Sequence, residues 1–310
     1  MNSYHNILTI AVPCHNESQF LHETLLSVKS QTFMDFAVEI YDNNSTDVSL
    51  DIAKRFSHQD KRFRFHKNSS NIGLLNNFRN ALNNSDSKYF MWMGAHDMIE
   101  SNYLFELINE LEKNSTAALS FPNIKYLDTN GKIYSDTLLE KEKYLLSPVK
   151  NYLNSIGEGR KATARMHGVF KRECIKDIGR FQWNFGGMDH IFLSRSEFYG
   201  TVHNTNTSYI RRMWSDTKLE NHKGIGASTR YFMKSNKQYG LKKLTFIPLY
   251  EAYINDFFRL PLKIITKIKY FPQLTYLITK KFEVNLFNNL ILYVWNSLFF
   301  IAKKYLKVKS

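Results

Sequence analysis

The chain has 310 residues, of which 43% are hydrophobic and 15% aromatic. It is therefore not a disordered chain, and it has room for one large domain or one domain plus an appendage. Its two cysteines, Cys14 and Cys174, exclude a disulfide-rich secreted protein and favour a reducing compartment. The net charge of +14 is uneven, because residues 241–310 hold twelve lysines and arginines against three acids.

The first half of the chain alternates strand and helix patterns. An apolar run over residues 7–13 predicts a strand, a segment of helical periodicity follows, and residues 37–42 predict a second strand. Further helices are predicted over residues 47–56, 74–82 and 103–113, and further strands over residues 62–66, 89–93 and 117–121. Strands separated by helices of this length indicate an α/β fold with a Rossmann-like, mainly parallel sheet flanked by helices. Ligands of such sheets bind beyond the carboxyl ends of the strands.

The middle of the chain is less regular. A helix is predicted over residues 138–153, followed by a strand over residues 166–170 and a helix that ends before Gly179. An aromatic, glycine-containing loop over residues 181–188 then leads to Asp189 and another helix. We expect a first domain over residues 1–230 and a helical, basic and amphipathic extension over residues 231–310.

Four polar stretches, all in chain order, follow predicted strands or open predicted helices. They are Val12-Pro13-Cys14-His15-Asn16-Glu17, Asp42-Asn43-Asn44-Ser45-Thr46-Asp47, Asn71-Ile72-Gly73 with Asn77 and Arg79, and Asp189 with Arg195 and Gly200. Together these stretches resemble the motifs of the family-2 glycosyltransferases, whose nucleotide-sugar-binding fold is called GT-A. The resemblance covers about residues 5–215.

This resemblance implies an inverting enzyme that uses a nucleoside-diphosphate sugar, with a nucleotide-sugar half over about residues 1–125 and an acceptor half over about residues 126–230. Asp189 would be the general base that takes the proton of the acceptor hydroxyl. Asp42 would accept the imide N–H of a uracil base. The other nucleotide-sugar contacts would come from Pro13, His15, Asn16, Glu17, Asn71, Asn77, Arg79 and His96, and the acceptor or phosphate contacts from Trp183, Arg211 and Arg212.

The family usually has an acidic cluster after its fourth strand, where this chain has Gly94-Ala95-His96-Asp97. The resemblance makes Asp97 the ligand of a divalent cation that bridges the two phosphates. An all-oxygen site favours Mg²⁺, whereas Mn²⁺ would tolerate the imidazole of His96. Because the neighbouring acids are missing, the identity of the cation stays open, and Arg79 or Arg211 and Arg212 could neutralise part of the phosphate charge. Met213 is a second departure, at a position where the family often has histidine.

Each of these residues also has a purely structural interpretation. Asp42 could cap the turn before the next helix, and Asp97 could cap the helix predicted at residue 103 or pair with a lysine. Asp189 could pair with His190 or Arg195. Hydrogen bonding within turns would account for His96, Asn16, Glu17 and Asn71, and core packing for Trp183.

The basic tail indicates an anionic partner. Residues 286–302 are mostly apolar, but Asn289 and Asn296 share one face of a predicted helix, which favours a helix lying on a membrane surface over one that spans it. The lysines of residues 260–281 stand among aromatic residues and could bind the same surface. The alternative is a helix packed on the catalytic domain or on a second subunit. No nucleic-acid-binding motif accompanies the charge, so we expect no nucleic-acid partner.

Residues 1–12 lack the pattern of a signal peptide, so we expect the chain to be cytoplasmic and peripheral on the inner face of the membrane. There it would move a sugar from a nucleoside-diphosphate donor, a UDP-sugar, to a lipid-linked or surface polysaccharide. The reduced acidic cluster leaves an alternative, a non-catalytic member that binds a nucleotide sugar or glycan at the membrane.

Overall fold

The computed structural model describes residues 7–128, 131–137, 147–157, 161–175, 188–212 and 246–281. The chain divides into two compact units, Met1–Thr245 and Phe246–Ser310. The domain boundary predicted at residue 230, Trp183, Met213 and the apolar segment 286–302 lie outside the described residues.

Among the described residues, nine strands of the first unit form one sheet. They are β1 (Leu8–Cys14), β2 (Phe36–Asp42), β3 (Phe63–Lys67), β4 (Tyr89–Trp92), β5 (Met98–Ile99), β6 (Ala117–Leu127), β7 (Ile133–Thr137), β8 (Val169–Lys171) and β9 (Thr201–Arg212). The described helices of this unit are α1 (Leu21–Lys29), α2 (Ser49–Gln59), α3 (Leu74–Asn83), α4 (Tyr103–Lys113), α5 (Pro148–Gly157), α6 (Lys161–Met166), α7 (Arg172–Ile175) and α8 (Met188–Tyr199).

The strands β3, β2, β1 and β4 lie side by side in this order and are all parallel. Their carboxyl ends therefore meet at one edge of the sheet. Beyond β4 the sheet becomes mixed, because β8 runs antiparallel to both β4 and β6, while β6 is parallel to β9. The short strand β5 pairs with the far end of β9, and β7 pairs with β6. The predicted α/β sheet with flanking helices is confirmed.

The core follows from the apolar patterns read in the sequence. Strand β1 is buried on both faces, as its continuous apolar run predicts, and α1 and α4 each bury one apolar stripe. Trp92, the last residue of β4, lies at the centre of an aromatic cluster with Phe90, Phe170 and Phe192. The ring of Phe192 is 4.8 Å from that of Trp92, so the first turns of α8 lie near the carboxyl end of β4.

Two elements differ from the sequence prediction. The helix predicted over residues 138–153 is described only as α5, which begins at Pro148, a residue suited to a first helical turn because its ring fixes φ and its missing N–H costs nothing there. Residues 138–146 lie outside the described part. The twelve-residue strand β9 was not predicted, although its threonines and β-branched residues favour a strand.

The described part of the second unit consists of the helices α9 (Phe246–Arg259) and α10 (Ile264–Lys281). They contact one another through Phe258 and Phe271, whose ring centroids are 5.6 Å apart. The buried side chains of these helices and of the turn between them are mostly large and apolar: Tyr253, Phe257, Leu260, Leu274 and Ile278. Neither of them, nor any other helix in the described ranges, is long and apolar enough to cross a membrane.

Candidate active site

Two buried acids lie at the carboxyl edge of the parallel strands. Asp42 is the last residue of β2 and is 1% exposed, and Asp97 lies in the loop between β4 and β5 and is 2% exposed. Carboxylates are almost never buried without a partner, because removing their charge from water is costly. The surroundings of these two side chains therefore define the candidate site.

Asp42 uses only one of its carboxylate oxygens within the described part of the protein. Oδ2 accepts the N–H of Ser45 at 3.2 Å, which is the turn-capping role considered above. Oδ1 is buried and has no hydrogen-bond partner there. A buried, unsatisfied carboxylate oxygen is rare and unfavourable, so it indicates a ligand that donates a hydrogen bond.

Cys14 lies beside Asp42 but is not a nucleophile. The Cys14 carbonyl accepts the N–H of Asn43 at 2.8 Å, which ties the end of β1 to the end of β2. Burial and the neighbouring charge of Asp42 raise the pKa of the Cys14 thiol to about 12. The thiol is therefore neutral at physiological pH.

A chain of amide side chains, Asn43, Asn68, Asn71 and Asn77, joins the loops that follow β2 and β3 to helix α3; we call it the asparagine cluster. Asn43 is 3% exposed and donates to Asn71 Oδ1 at 2.8 Å. Its Oδ1 accepts from Asn68 Nδ2 and from the N–H of Ile72, each at 3.0 Å. The network fixes the loop after β3 against the end of β2.

Two residues of this cluster were predicted to bind the nucleotide sugar, and the structure places one at the open side and the other in the interior. Asn71 Nδ2 lies 3.2 Å from Nε2 of the exposed His15, so both stand at the open side of the cluster. Asn77 is 2% exposed, donates to the Tyr41 carbonyl at 2.8 Å and accepts from Asn68. The Asn77 amide is thus used within the protein, where it holds Asn68 and the end of β2 together.

The polar residues of the turn after β1 make structural hydrogen bonds, and one of them also contacts a candidate ligand residue. Asn16 has a left-handed φ of 56°, a conformation that asparagine tolerates, and its Oδ1 accepts the Thr46 N–H at 2.8 Å. The Glu17 N–H donates to Ser49 Oγ at 2.9 Å. Pro13 is buried in β1. The hydrogen bonds of the Asn16 side chain and the Glu17 backbone are structural, whereas the Glu17 carboxylate lies 3.3 Å from His96 Nδ1.

Asp97 is held by strand β9 rather than by the helix that follows it. Its Oδ2 accepts the Tyr209 hydroxyl at 2.7 Å and its Oδ1 accepts the Arg212 N–H at 2.9 Å. The residue that precedes α4 is Asn102, so Asp97 is not its cap. The Tyr209 hydroxyl also accepts the Gly94 N–H at 3.0 Å, and a Cβ at Gly94 would overlap the Asp97 carboxylate.

Two histidines with different electrostatics adjoin Asp97. Burial disfavours the charged form of His96, but the hydrogen bond with Glu17 and the charges of Asp97 and Glu17 outweigh it, so its pKa is raised. His167 stacks on the Tyr209 ring at 4.0 Å, and burial lowers its pKa to about 4. His96 is therefore the histidine that can carry positive charge near neutral pH.

The two arginines at the end of β9 differ in availability. The Arg212 guanidinium donates to the His96 carbonyl at 3.1 Å and to Glu23 at 2.5 Å, and it lies over the Phe20 ring. These contacts use Nε and Nη2 of Arg212 within the protein and anchor the loop of Asp97. Arg211 makes no hydrogen bond or ion pair with another described residue, and its charge acts on His96.

Asp189 opens helix α8 and is exposed. Among the described residues, no ion pair joins it to His190 or Arg195, the two structural partners considered above. The contact of Phe192 with Trp92 brings this end of α8 towards the end of β4. No described contact joins Asp189 or Arg79 to the groups around Asp42 and Asp97.

The donor set around Asp97 fits a divalent cation only in part. The described residues contain no group of three or more His, Cys, Asp or Glu side chains that could hold a metal ion. Each oxygen of Asp97 accepts one hydrogen bond, and a carboxylate oxygen has a second lone pair. Mg²⁺ is commonly bound by one or two carboxylates together with substrate phosphates. Asp97 fits that mode of binding, with the phosphates of a ligand completing the site.

Comparison with known proteins identifies glycosyltransferases as relatives of this chain. The uncharacterized glycosyltransferase MJ1057 of Methanocaldococcus jannaschii is 28% identical over 148 residues, which are 47% of this chain and 50% of that protein. An uncharacterized glycosyltransferase of Haemophilus influenzae is 28% identical over 108 residues, 35% of this chain and 33% of its own. The matched region thus spans half or less of the length of these relatives.

Among solved structures, S. aureus TarS 1-349 in complex with UDP-GlcNAc superposes with a TM-score of 0.62 at 14% identity, covering 91% of this chain and 74% of that one. This likeness concerns the fold, which is GT-A. The family model Glycosyl transferase family 2 matches residues 9–177, more than half of the chain. The chain therefore belongs to glycosyl transferase family 2.

Proposed function

We propose that this glycosyltransferase moves a hexosyl or N-acetylhexosaminyl group from a UDP-sugar to a hydroxyl of a glycan or lipid-linked acceptor, with inversion. The observation that carries the proposal is the buried Oδ1 of Asp42, which has no hydrogen-bond partner in the described structure. The imide N–H of uracil is a donor that would satisfy it. His15 and Asn71 stand at the open side of the asparagine cluster, which Asn43, the residue after Asp42, joins through its hydrogen bond to Asn71.

The diphosphate needs positive charge as the sugar leaves it. Arg211, which has no described ion-pair partner, and His96, whose pKa is raised, supply cationic groups beside Asp97. A divalent cation, Mn²⁺ or Mg²⁺, held by Asp97 would neutralise part of the developing charge on the leaving phosphate when bound. Arg212 keeps the Asp97 loop in place through the His96 carbonyl.

The transfer step requires a base on the acceptor side. The acceptor oxygen forms its bond to the anomeric carbon while the bond from that carbon to the diphosphate oxygen breaks, and Asp189 takes the hydroxyl proton. The exposure of Asp189 and its lack of a described ion-pair partner leave its carboxylate free for this role. One such displacement inverts the anomeric centre.

The acceptor and location are proposed from charge. Residues 241–310 carry a net charge of +9, which suits the anionic headgroups of a membrane, and a lipid-linked or surface polysaccharide intermediate would be met there. We place the chain in the cytoplasm, peripherally on the inner face of the membrane.

The decisive experiment compares Asp189→Asn with the native chain in a product assay over a panel of nucleotide sugars and lipid-linked acceptors. Loss of a general base lowers turnover by about 10²–10⁴-fold. UDP affinity, measured by calorimetry, should stay within twofold. Asp51→Asn is the matched control, because Asp51 is a solvent-exposed acid that pairs with Lys54 on the surface of α2. Native turnover by Asp189→Asn would refute the assignment of the base.

A second function remains because His96 stands where the family has an acid. A non-catalytic protein that binds a nucleotide sugar or glycan would bind UDP through Asp42 and yield no product with any acceptor. In that case Asp42→Asn would weaken UDP binding, whereas Asp189→Asn would change nothing.

A further inference from the structure

The second unit presents an exposed surface that combines large apolar side chains with lysines. On α10, Ile264, Ile265 and Ile268 are 60%, 68% and 60% exposed, and Tyr276 is 59% exposed. Large aliphatic side chains with this much exposure in one cluster are uncommon unless the surface meets an apolar partner. Leu274 and Ile278, on another side of the same helix, are 0% exposed.

The helical period places these exposed residues on one face. At about 100° per residue, positions 264, 265, 268, 269, 276 and 280 lie within an arc of about 160° around the helix, and positions 274 and 278 lie outside this arc. We call Ile264, Ile265, Ile268, Lys269, Tyr276 and Lys280 the outer face of α10. At about 1.5 Å per residue the face is about 24 Å long.

The charge of this face selects among its possible partners. Helix α10 contains four lysines and no acid. Lys269 and Lys280 are exposed, and their ammonium groups lie 5.6 Å and 6.0 Å from the ring centroids of Tyr270 and Tyr276. Lysine stems and tyrosine rings of this kind suit a boundary between an apolar layer and water.

From these observations we propose that the outer face of α10 docks on an anionic lipid surface, with its isoleucines entering the boundary between headgroups and acyl chains. The lysines would then contact lipid phosphates. A second copy of the chain fits less well, because a two-fold contact would bring Lys269 and Lys280 towards the same lysines of its partner. The inference gives the peripheral location proposed above a specific surface and is independent of sugar transfer.

The test is co-sedimentation of the full chain with vesicles of phosphatidylcholine alone or with 30 mol% phosphatidylglycerol, on the order of the anionic content that supports such binding. The native chain should bind the anionic vesicles and lose this binding at high salt. A triple variant should weaken binding at least about tenfold, because apolar burial drives insertion; it combines Ile264→Ser, Ile265→Ser and Ile268→Ser. Lys269→Gln and Lys280→Gln should each weaken it about fivefold at low salt.

The matched control replaces three exposed apolar residues of the first unit, Leu26, Phe105 and Ile133, by serine. This variant should bind vesicles like the native chain. UDP binding by all variants reports folding of the first unit, and circular dichroism reports the helices. The proposal is overturned if the native chain ignores anionic vesicles or if the isoleucine variant binds them normally. A fall in self-association at unchanged vesicle binding would assign the face to a second copy and equally overturn it.

Discussion

The hydroxyl of Tyr209 holds the Asp97 carboxylate in position. It donates to Asp97 Oδ2 at 2.7 Å and accepts the Gly94 N–H at 3.0 Å. Burial and the adjacent Asp97 charge raise the Tyr209 pKa well above its ordinary value, so the group stays a protonated donor. Tyr209→Phe removes this hydroxyl and keeps the ring that stacks on His167.

The expected loss of stability follows from the two bonds. A hydrogen bond to a charged acceptor contributes about 1.5–3 kcal/mol, and the Gly94 N–H left without its acceptor costs about 1 kcal/mol more. We therefore expect the free energy of unfolding to fall by about 3 kcal/mol. Since Asp97 also loses a fixed orientation, cation-dependent UDP affinity should fall as well.

Urea unfolding followed by tryptophan fluorescence measures this change, because Trp92 lies in β4, close to the site. Tyr199→Phe is the matched control, since Tyr199 is 39% exposed at the end of α8 and should change stability by less than 0.5 kcal/mol, a typical surface effect. A loss below about 1 kcal/mol for Tyr209→Phe would refute the inferred role of its hydroxyl.

Three further predictions test the neighbouring groups. Asn43→Ala removes three partly buried hydrogen bonds and should weaken UDP binding at least about tenfold in calorimetry, with a smaller effect on kcat. Equal affinity would show that the asparagine cluster does not order the nucleotide loop. His167, neutral in the fold with a pKa of about 4, contributes stability above pH 6.5, its unfolded pKa, that is lost as the pH falls through 4. The loss between pH 7 and 5 should be about 2 kcal/mol by chemical denaturation and should vanish in His167→Gln, and an equal loss in that variant would contradict the assignment. Mn²⁺ should bind the UDP-bound chain at least about tenfold more tightly than the free chain, because one carboxylate is a weak metal site by itself. Tight binding of Mn²⁺ without nucleotide would show that other metal ligands exist.

Local patterns were sufficient to predict the first half of the sheet and the places of its acids. Strands β1 and β2 are apolar runs that stop at polar turns, so the sequence alone put Asp42 at a carboxyl edge, where it is found. The same reasoning put Asp97 after β4. These inferences need only the chain direction and the rule that parallel strands end on one side.

Contacts between distant parts of the chain could not be predicted in this way. Tyr209 and Asp97 are 112 residues apart, and Arg212 and Glu23 are 189 residues apart. Arg212 was predicted as a phosphate or acceptor ligand because its positive charge can pair with phosphate, whereas its contacts through Nε and Nη2 to the His96 carbonyl and Glu23 were not foreseen. Asn43 and Asn68 were missed as functional support, because an asparagine beside a turn already has a sufficient local explanation.

The hydrogen bonds that Asp97 accepts affect how strongly it can bind a cation. A carboxylate that already accepts a tyrosine hydroxyl and a backbone N–H keeps a fixed orientation without a cation, so the missing acids of the family cluster are not needed to hold it. The same two donors offset part of its charge, which weakens its attraction for a free cation. If a diphosphate binds here as proposed, Arg211 and His96 would supply much of the positive charge that it needs. Sugar transfer by this chain should accordingly depend less steeply on the concentration of divalent cation than transfer by a relative that keeps the acidic cluster, a difference that cation titrations of the two proteins would reveal.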